Sequence, residues 1–138
     1  MNSGINFEEL YIDQQIEMTR SVSQHDVQEF ARITGDTNPV HLDEDYAATT
    51  SFGQTIAHGM LTAGFISAAI GTQLPGPGCI YLEQHLKFKA PVYIGSTVTT
   101  RITITDINVR RRRLTLKTEC FSQDKLVVTG EATIMIPA

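Results

Sequence analysis

Asp36 and His41, both in GDTNPVHLD at residues 35–43, are the side chains of this sequence best suited to exchanging a proton near neutral pH. Between them, Asn38-Pro39 is a turn dipeptide, because the residue before a proline is pushed out of the helical region. A bend there lets both side chains point at one spot. The sequence HGMLTAGFISAAIG follows at residues 58–71, with only Thr62 and Ser67 polar beyond its first residue. A helix without a polar face belongs inside a protein. At ~1.5 Å per residue it is roughly 20 Å long, too short for a membrane span. Backbone N–H groups in its first turn lack intrahelical partners and favour negative charge. Gly59 sits there with no side chain to obstruct an approaching oxygen. The chemistry on offer is proton transfer beside a place where charge can build on an oxygen.

Other elements must hold these groups. Ile16 and Met18, alternating with Glu17 and Thr19, read as a first strand within an otherwise uncertain lead-in. Ser23 with Asp26 is an imperfect capping box, and Val27, Phe30, Ala31 and Thr34 form the stripe of the helix that follows. Gly35 ends that helix, so the reactive stretch begins where a rigid element stops. Residues 44–49 read as one short helical turn, with Asp43 as its cap, and residues 51–55 as loop. Gly71 and LPGPG at residues 74–78 end the apolar helix.

From Ile80 the hydrophobic period changes to two. Ile80, Leu82, Leu86 and Phe88 predict one dry face, with Gln84 the single polar residue among them. The pattern recurs at Val98, Thr100, Ile102 and Ile104, at Leu114, Leu116, Thr118 and Cys120, and at Leu126, Val128, Ala132, Ile134 and Ile136. Short connections at residues 91–96, 108–111 and 122–125 predict antiparallel neighbours. The expected architecture is α+β, an antiparallel sheet wrapped around a central buried helix, with Gly130 letting strand and helix approach closely.

A length of 138 residues fits one domain, 1–138, and 41% apolar with 19% charged residues is enough to build a core. A net charge of −4, evenly mixed, argues against a nucleic-acid surface. Cys79 and Cys120 form no CxxC pair and read as reduced core residues, which places the protein in the cytoplasm. Residues 1–20 carry Glu8, Glu9, Asp13 and Glu17 and no long apolar run, so neither a secretory signal nor a membrane anchor is expected. Asp36, His41, Asp43 and His58 lack ligand spacing such as HExxH, so no metal is expected.

GDTNPVHLD, then AHGM, then LKFKAPVYIGSTV, in this order and at these separations, resemble the MaoC-like hot-dog proteins and most closely the single-domain (R)-specific enoyl-CoA hydratases. The similarity runs from about Phe30 to the C-terminus. It implies a hot-dog fold working as a homodimer, and hydration of trans-2-enoyl-CoA to (R)-3-hydroxyacyl-CoA without metal or cofactor. By position, the family's catalytic pair falls on Asp36 and His41, its motif asparagine on Asn38, and its backbone donor to the thioester oxygen on Gly59. Its hydrogen-bonding serine in the central helix looks like Ser67.

Several readings stay open at this stage. Either member of the Asp36–His41 pair can be the base. Asn38 can hold the water or fix the loop, and Ser67 can orient the pair or bond its own helix carbonyl. His58 reads as a structural residue or a pocket wall. Gln84 is either a contact for substrate or partner subunit, or a satisfied core amide. The four arginines at 110–113 suit the phosphates of coenzyme A but also a solvated hairpin tip, as Lys87 and Lys89 suit a wet strand face. An acyl group on acyl carrier protein, or a branched one, would need the same site. A thioesterase of this fold would carry a carboxylate on the central helix, and residues 60–70 contain none. An acyl-thioester-binding module without turnover is the reading from a different class.

Overall fold

The computed structural model describes residues 5–138. A 3-10 turn at Phe7–Glu9 precedes strand β1 (Gln15–Ser21) and helix α1 (Gln24–Thr34). Two short helices, α2 (Pro39–Leu42) and α3 (Glu44–Ala48), lead to the long helix α4 (Gly59–Thr72). Strands β2 (Ile80–Phe88), β3 (Thr97–Asn108), β4 (Arg113–Ser122) and β5 (Lys125–Met135) complete one antiparallel sheet, ordered β1-β3-β4-β5-β2.

The expected faces of β3, β4 and β5 line the core. Ile102, Ile104, Leu114, Leu116 and Ile134 are fully buried, as are Ile66, Ala69 and Ile70 of α4. Burying a side chain of the larger kind contributes about 1.5–3 kcal/mol. The helix packs against β1, β3, β4 and β5, and these strands wrap it. Its enclosure is incomplete within one chain. Gly59, Met60, Gly64, Ser67 and Ala68 form an exposed face, contrary to the all-round burial that the composition implies.

Strand β2 departs from expectation twice. It pairs with β5 and not with β3, because two strands lie between them in the sheet. Three strand spacings of ~4.8 Å amount to about 14 Å, well within the reach of the connecting segment 89–96. A short connection therefore bounds the separation of two strands without making them neighbours. A bulge between Tyr81 and Glu83 also shifts the register. Tyr81, Gln84, Leu86 and Phe88 pair with the inward residues Ile134, Ala132, Gly130 and Val128, whereas Ile80 pairs with Met135. As an edge strand β2 leaves Ile80, Tyr81, Leu82 and Phe88 each 38–52% exposed.

Gly130 serves a close approach, but to a strand. A Cβ there would overlap the His85 carbonyl oxygen and lie 3.2 Å from the Leu86 Cα. Gln84 proves to be a satisfied amide. Its Nε2 donates to Thr118 Oγ1 at 2.9 Å, and its Oε1 accepts the Tyr81 hydroxyl.

The arginine run divides: Arg110 and Arg111 are exposed at the turn between β3 and β4, a solvated hairpin tip, whereas Arg112 is engaged. Arg112 lies over the Phe7 ring at 4.6 Å and donates to the Ile136 carbonyl at 2.9 Å, tying the N-terminal turn to the end of β5. Arg113 pairs with Met135, which also pairs with Ile80, so the run is at the opposite end of β2 and β5 from Phe88 and Val128.

Candidate active site

The site begins at the end of α1. Ser23 and Asp26 form a complete capping box, Asp26 N–H to Ser23 Oγ at 3.0 Å and Ser23 N–H to Asp26 Oδ2 at 2.9 Å. Aspartate therefore serves where glutamate is usual. Gly35 stops the helix with φ 80°, in the left-handed region that favours glycine. Thr34, placed on the buried stripe by its spacing, is exposed; its hydroxyl donates to the Phe30 carbonyl and accepts the Asp36 N–H. The next link is short and locally bonded. Asp36 Oδ1 accepts the Asn38 N–H at 3.2 Å, and Asn38 Oδ1 accepts the Val40 N–H at 3.3 Å. Asn38 thereby caps α2, with Pro39 in its first turn. The bend read from Asn-Pro is the start of one helical turn, and that turn carries His41.

His41 is held from the other side. Its Nδ1 lies 2.7 Å from the Ile56 carbonyl, which only accepts, so Nδ1 carries the proton and Nε2 presents a lone pair. Ile56 in turn donates its N–H to the Val40 carbonyl, and Ala57 donates to Val92. The segment before α4 thus clamps α2. Burial holds the His41 pKa below the ordinary 6.5, and the neighbouring His58 ring acts in the same direction. The Ile56 carbonyl and the Asp36 carboxylate oppose the shift without cancelling it. Near pH 7 the ring is neutral and able to accept a proton.

His58 occupies the N-cap of α4 without capping it through its side chain, so the N–H of Gly59 has no intrahelical acceptor. Gly59 is exposed, and a Cβ on it would lie 2.7 Å from Phe88 Cε1. Only glycine fits beneath that ring as it stands. One carboxylate oxygen of Asp36 and one ring nitrogen each of His41 and His58 lie within 4.8 Å of one another. The two imidazoles are stacked, with ring centroids 3.9 Å apart. Each ring commits one nitrogen to a backbone carbonyl, that of Ile56 for His41 and that of Asp36 for His58, and keeps its other nitrogen for the site.

Asp36, His41, His58 and Gly59 line a cavity of about 490 Å³. Phe52, Ile56, Ala57, Met60, Thr62, Phe88, Val128 and residues 89–92 complete it, a mostly apolar surface to which Thr62 and Lys89 add polar groups. Asp36, His41 and Gly59 stand out by type and spacing in the sequence, whereas the apolar walls carry no such mark. Residues 89–92 belong to a connection whose course only the strand order reveals. Asn38 does not line the cavity and fixes the loop instead. Ser67 lies eight residues beyond Gly59, about 12 Å along α4 at ~1.5 Å per residue, exposed and outside the cavity lining. Arg110 to Arg113 are likewise absent from the lining, whereas Lys89 is part of it.

The family model described as a MaoC like domain matches residues 9–123. The chain belongs to the MaoC-like family. This MaoC-like chain is 51% identical over 132 residues, 96% of itself and 92% of the relative, to an (R)-specific enoyl-CoA hydratase of Rhodospirillum rubrum. A solved (R)-hydratase from A. caviae involved in PHA biosynthesis superposes with TM-score 0.92 at 41% identity, covering 94% of this chain and 99% of that one. A mitochondrial 3-hydroxyacyl-acyl-carrier-protein dehydratase of Solanum lycopersicum is 33% identical over 94% of this chain and 79% of its own length. The fold is the hot-dog fold, a sheet wrapped on a helix, as the resemblance implied.

Proposed function

We propose that this MaoC-like protein hydrates trans-2-enoyl-CoA to (R)-3-hydroxyacyl-CoA, with Asp36 and His41 as the acid–base pair and the Gly59 N–H as donor to the thioester oxygen. The observation that carries this reading is the gathering of Asp36, His41 and the open Gly59 amide in one mostly apolar cavity. Adding water to a conjugated thioester needs a base for the water, an acid for the α-carbon and a stabiliser for the enolate-like oxygen. As the water oxygen bonds to C3 it gives up one proton to the pair, and a proton passes from the pair to C2. The C2–C3 π electrons move toward the carbonyl in the first event and return in the second. Charge on the thioester oxygen peaks between them, where one preorganised donor is typically worth about 3 kcal/mol. Positioned proton transfer adds about 10²- to 10⁴-fold.

Coenzyme A is the proposed carrier because the 51% identical relative is named for a CoA thioester, while the acyl-carrier-protein dehydratase is 33% identical. No cofactor or metal enters the proposed step. A homodimer is proposed because α4 exposes Met60, Gly64, Ser67 and Ala68 and the edge strand β2 exposes Leu82 and Phe88. In such a dimer Ser67 would contact substrate across the subunit boundary. A cytoplasmic location is proposed from Cys79 and Cys120, both free thiols. Among the described residues, no helix is long and apolar enough to cross a membrane.

The test is loss of crotonyl-CoA absorbance with wild type, Asp36→Asn and His41→Gln. Wild type should consume the double bond, and each variant should lose at least about 100-fold in kcat while keeping its melting temperature. Full activity in either variant rejects the assignment. Binding without turnover by wild type favours a thioester-binding module.

A further inference from the structure

The ring that joins the parts of this site is His58. It is 2% exposed and lies one residue before α4, next to the Gly59 amide. Its Nε2–H donates to the backbone carbonyl of Asp36 at 3.0 Å. It stacks on His41 at 3.9 Å between centroids and 30° between planes, and it also meets Phe30 at 4.7 Å. Nδ1 is buried with no partner among the described residues. An orphaned buried acceptor is unfavourable and calls for an explanation. Here the explanation is that the ring is oriented by its other contacts.

Asp36 needs such a tie. It lies in the irregular link between α1 and α2, is itself exposed, and among the described residues its carboxylate accepts the local Asn38 N–H. Nothing within that link refers it to α4. We propose that His58 is a positioning residue: its N–H fixes the backbone of Asp36 and its ring plane fixes that of His41. Both proton-handling groups are then registered to the helix start that carries the Gly59 donor. This inference rests on the hydratase reading for its kinetic consequence and on the hydrogen bond and the stack for its geometry. A reacting group displaced by about 1 Å loses about 100-fold in rate, which sets the scale of the effect.

Three variants separate the two contacts. His58→Gln keeps an N–H for the Asp36 carbonyl and loses the stack, His58→Phe does the reverse, and His58→Met loses both at similar size. The expected kcat on crotonyl-CoA falls about tenfold in each of the first two and about 100-fold in the Met variant. KM should change less than kcat, because His58 enters the cavity wall with a ring only 2% exposed and acts through Asp36 and His41. In histidine NMR spectra the His41 ring protons should shift in the Met and Gln variants as the neighbouring ring disappears, whether or not the protein turns over.

A folded Met variant with wild-type kcat overturns the proposal, and so does a loss explained wholly by a smaller folded fraction. If Met does not fold, wild-type kcat in both Gln and Phe overturns it, and a tenfold loss in either supports it. An inactive wild type would refute the hydratase reading alone. The His41 resonances then decide the geometry, and no shift in the Gln variant refutes it.

Discussion

Gly59→Ala isolates the donor to the thioester oxygen from everything else in the cavity. The added Cβ would lie 2.7 Å from Phe88 Cε1 and 2.8 Å from Cδ1. Carbon atoms prefer about 3.5–4.0 Å, so the ring must retreat by about 1 Å. It can, because Phe88 is 52% exposed on an edge strand and the obstacle is the far part of a side chain. Overpacking typically costs about 1–3 kcal/mol, while replacing glycine in a helix returns up to about 1 kcal/mol. The net loss of stability is then about 0–3 kcal/mol, a fall of no more than about 12 °C in Tm for a domain of this size. The rate should suffer far more. A methyl group beside the first-turn N–H keeps the thioester oxygen from its donor, and losing one such donor costs about 10²–10³ in kcat. Crotonyl-CoA turnover and thermal melts of Gly59→Ala and of the Gly59→Ala, Phe88→Ala double variant divide the two effects. Removing the ring should restore the melting temperature and leave the rate low. A Gly59→Ala protein with wild-type kcat, or a double variant that recovers full activity, would refute the donor role.

Burial lowers the pKa of His41, so the acid limb of kcat/KM should fall below the ordinary imidazole value of 6.5. Activity is lost as pH drops through that limb, because a protonated ring no longer accepts. The limb belongs to the coupled pair, and one at or above 6.5 contradicts the geometry. By the same sign the unfolded chain binds more protons just below 6.5, so His41 makes stability rise with pH across that interval. Gly130→Ala should destabilise by more than about 3 kcal/mol, because the obstacle is the rigid backbone of His85 and Leu86; a melt within a few degrees of wild type would disprove the close approach. Gly64→Arg tests the dimer: a Cβ there has open space within one chain, so the variant should fold and sediment as a monomer. A dimeric Gly64→Arg places the interface elsewhere.

The central and C-terminal strands were readable because their alternation holds from Val98 to Ile104 and from Leu114 to Cys120, with the bulges falling after those runs, and their hairpins leave few ways to pair. Strand β2 was not, since a bulge at Leu82 inverts the alternation without any compositional mark. Its partner was hidden too, because the length of segment 89–96 permits several separations. The site divides in the same way. Asp36, His41 and Gly59 carry types and local spacings that point to chemistry on their own. The contacts of His58 depend on α4 returning its first turn to the end of α1, twenty-two residues earlier at Asp36. Neither residue type nor spacing encodes that meeting. The outward face of α4 reads as core because Met60, Gly64 and Ala68 have the same small or apolar character as the residues that the sheet covers, and residue type does not say which side is covered.

The crossing between β2 and β3 does two unrelated jobs. As a tether it needs only enough length to clear β4 and β5, while residues 89–92 form part of the enclosure around the guest. Side-chain changes at Lys89, Ala90 and Pro91 would leave every rung of the ladder and the Ala57–Val92 hydrogen bond in place and alter the shape of the hollow. Selection can therefore retune what this scaffold admits without renegotiating how it folds.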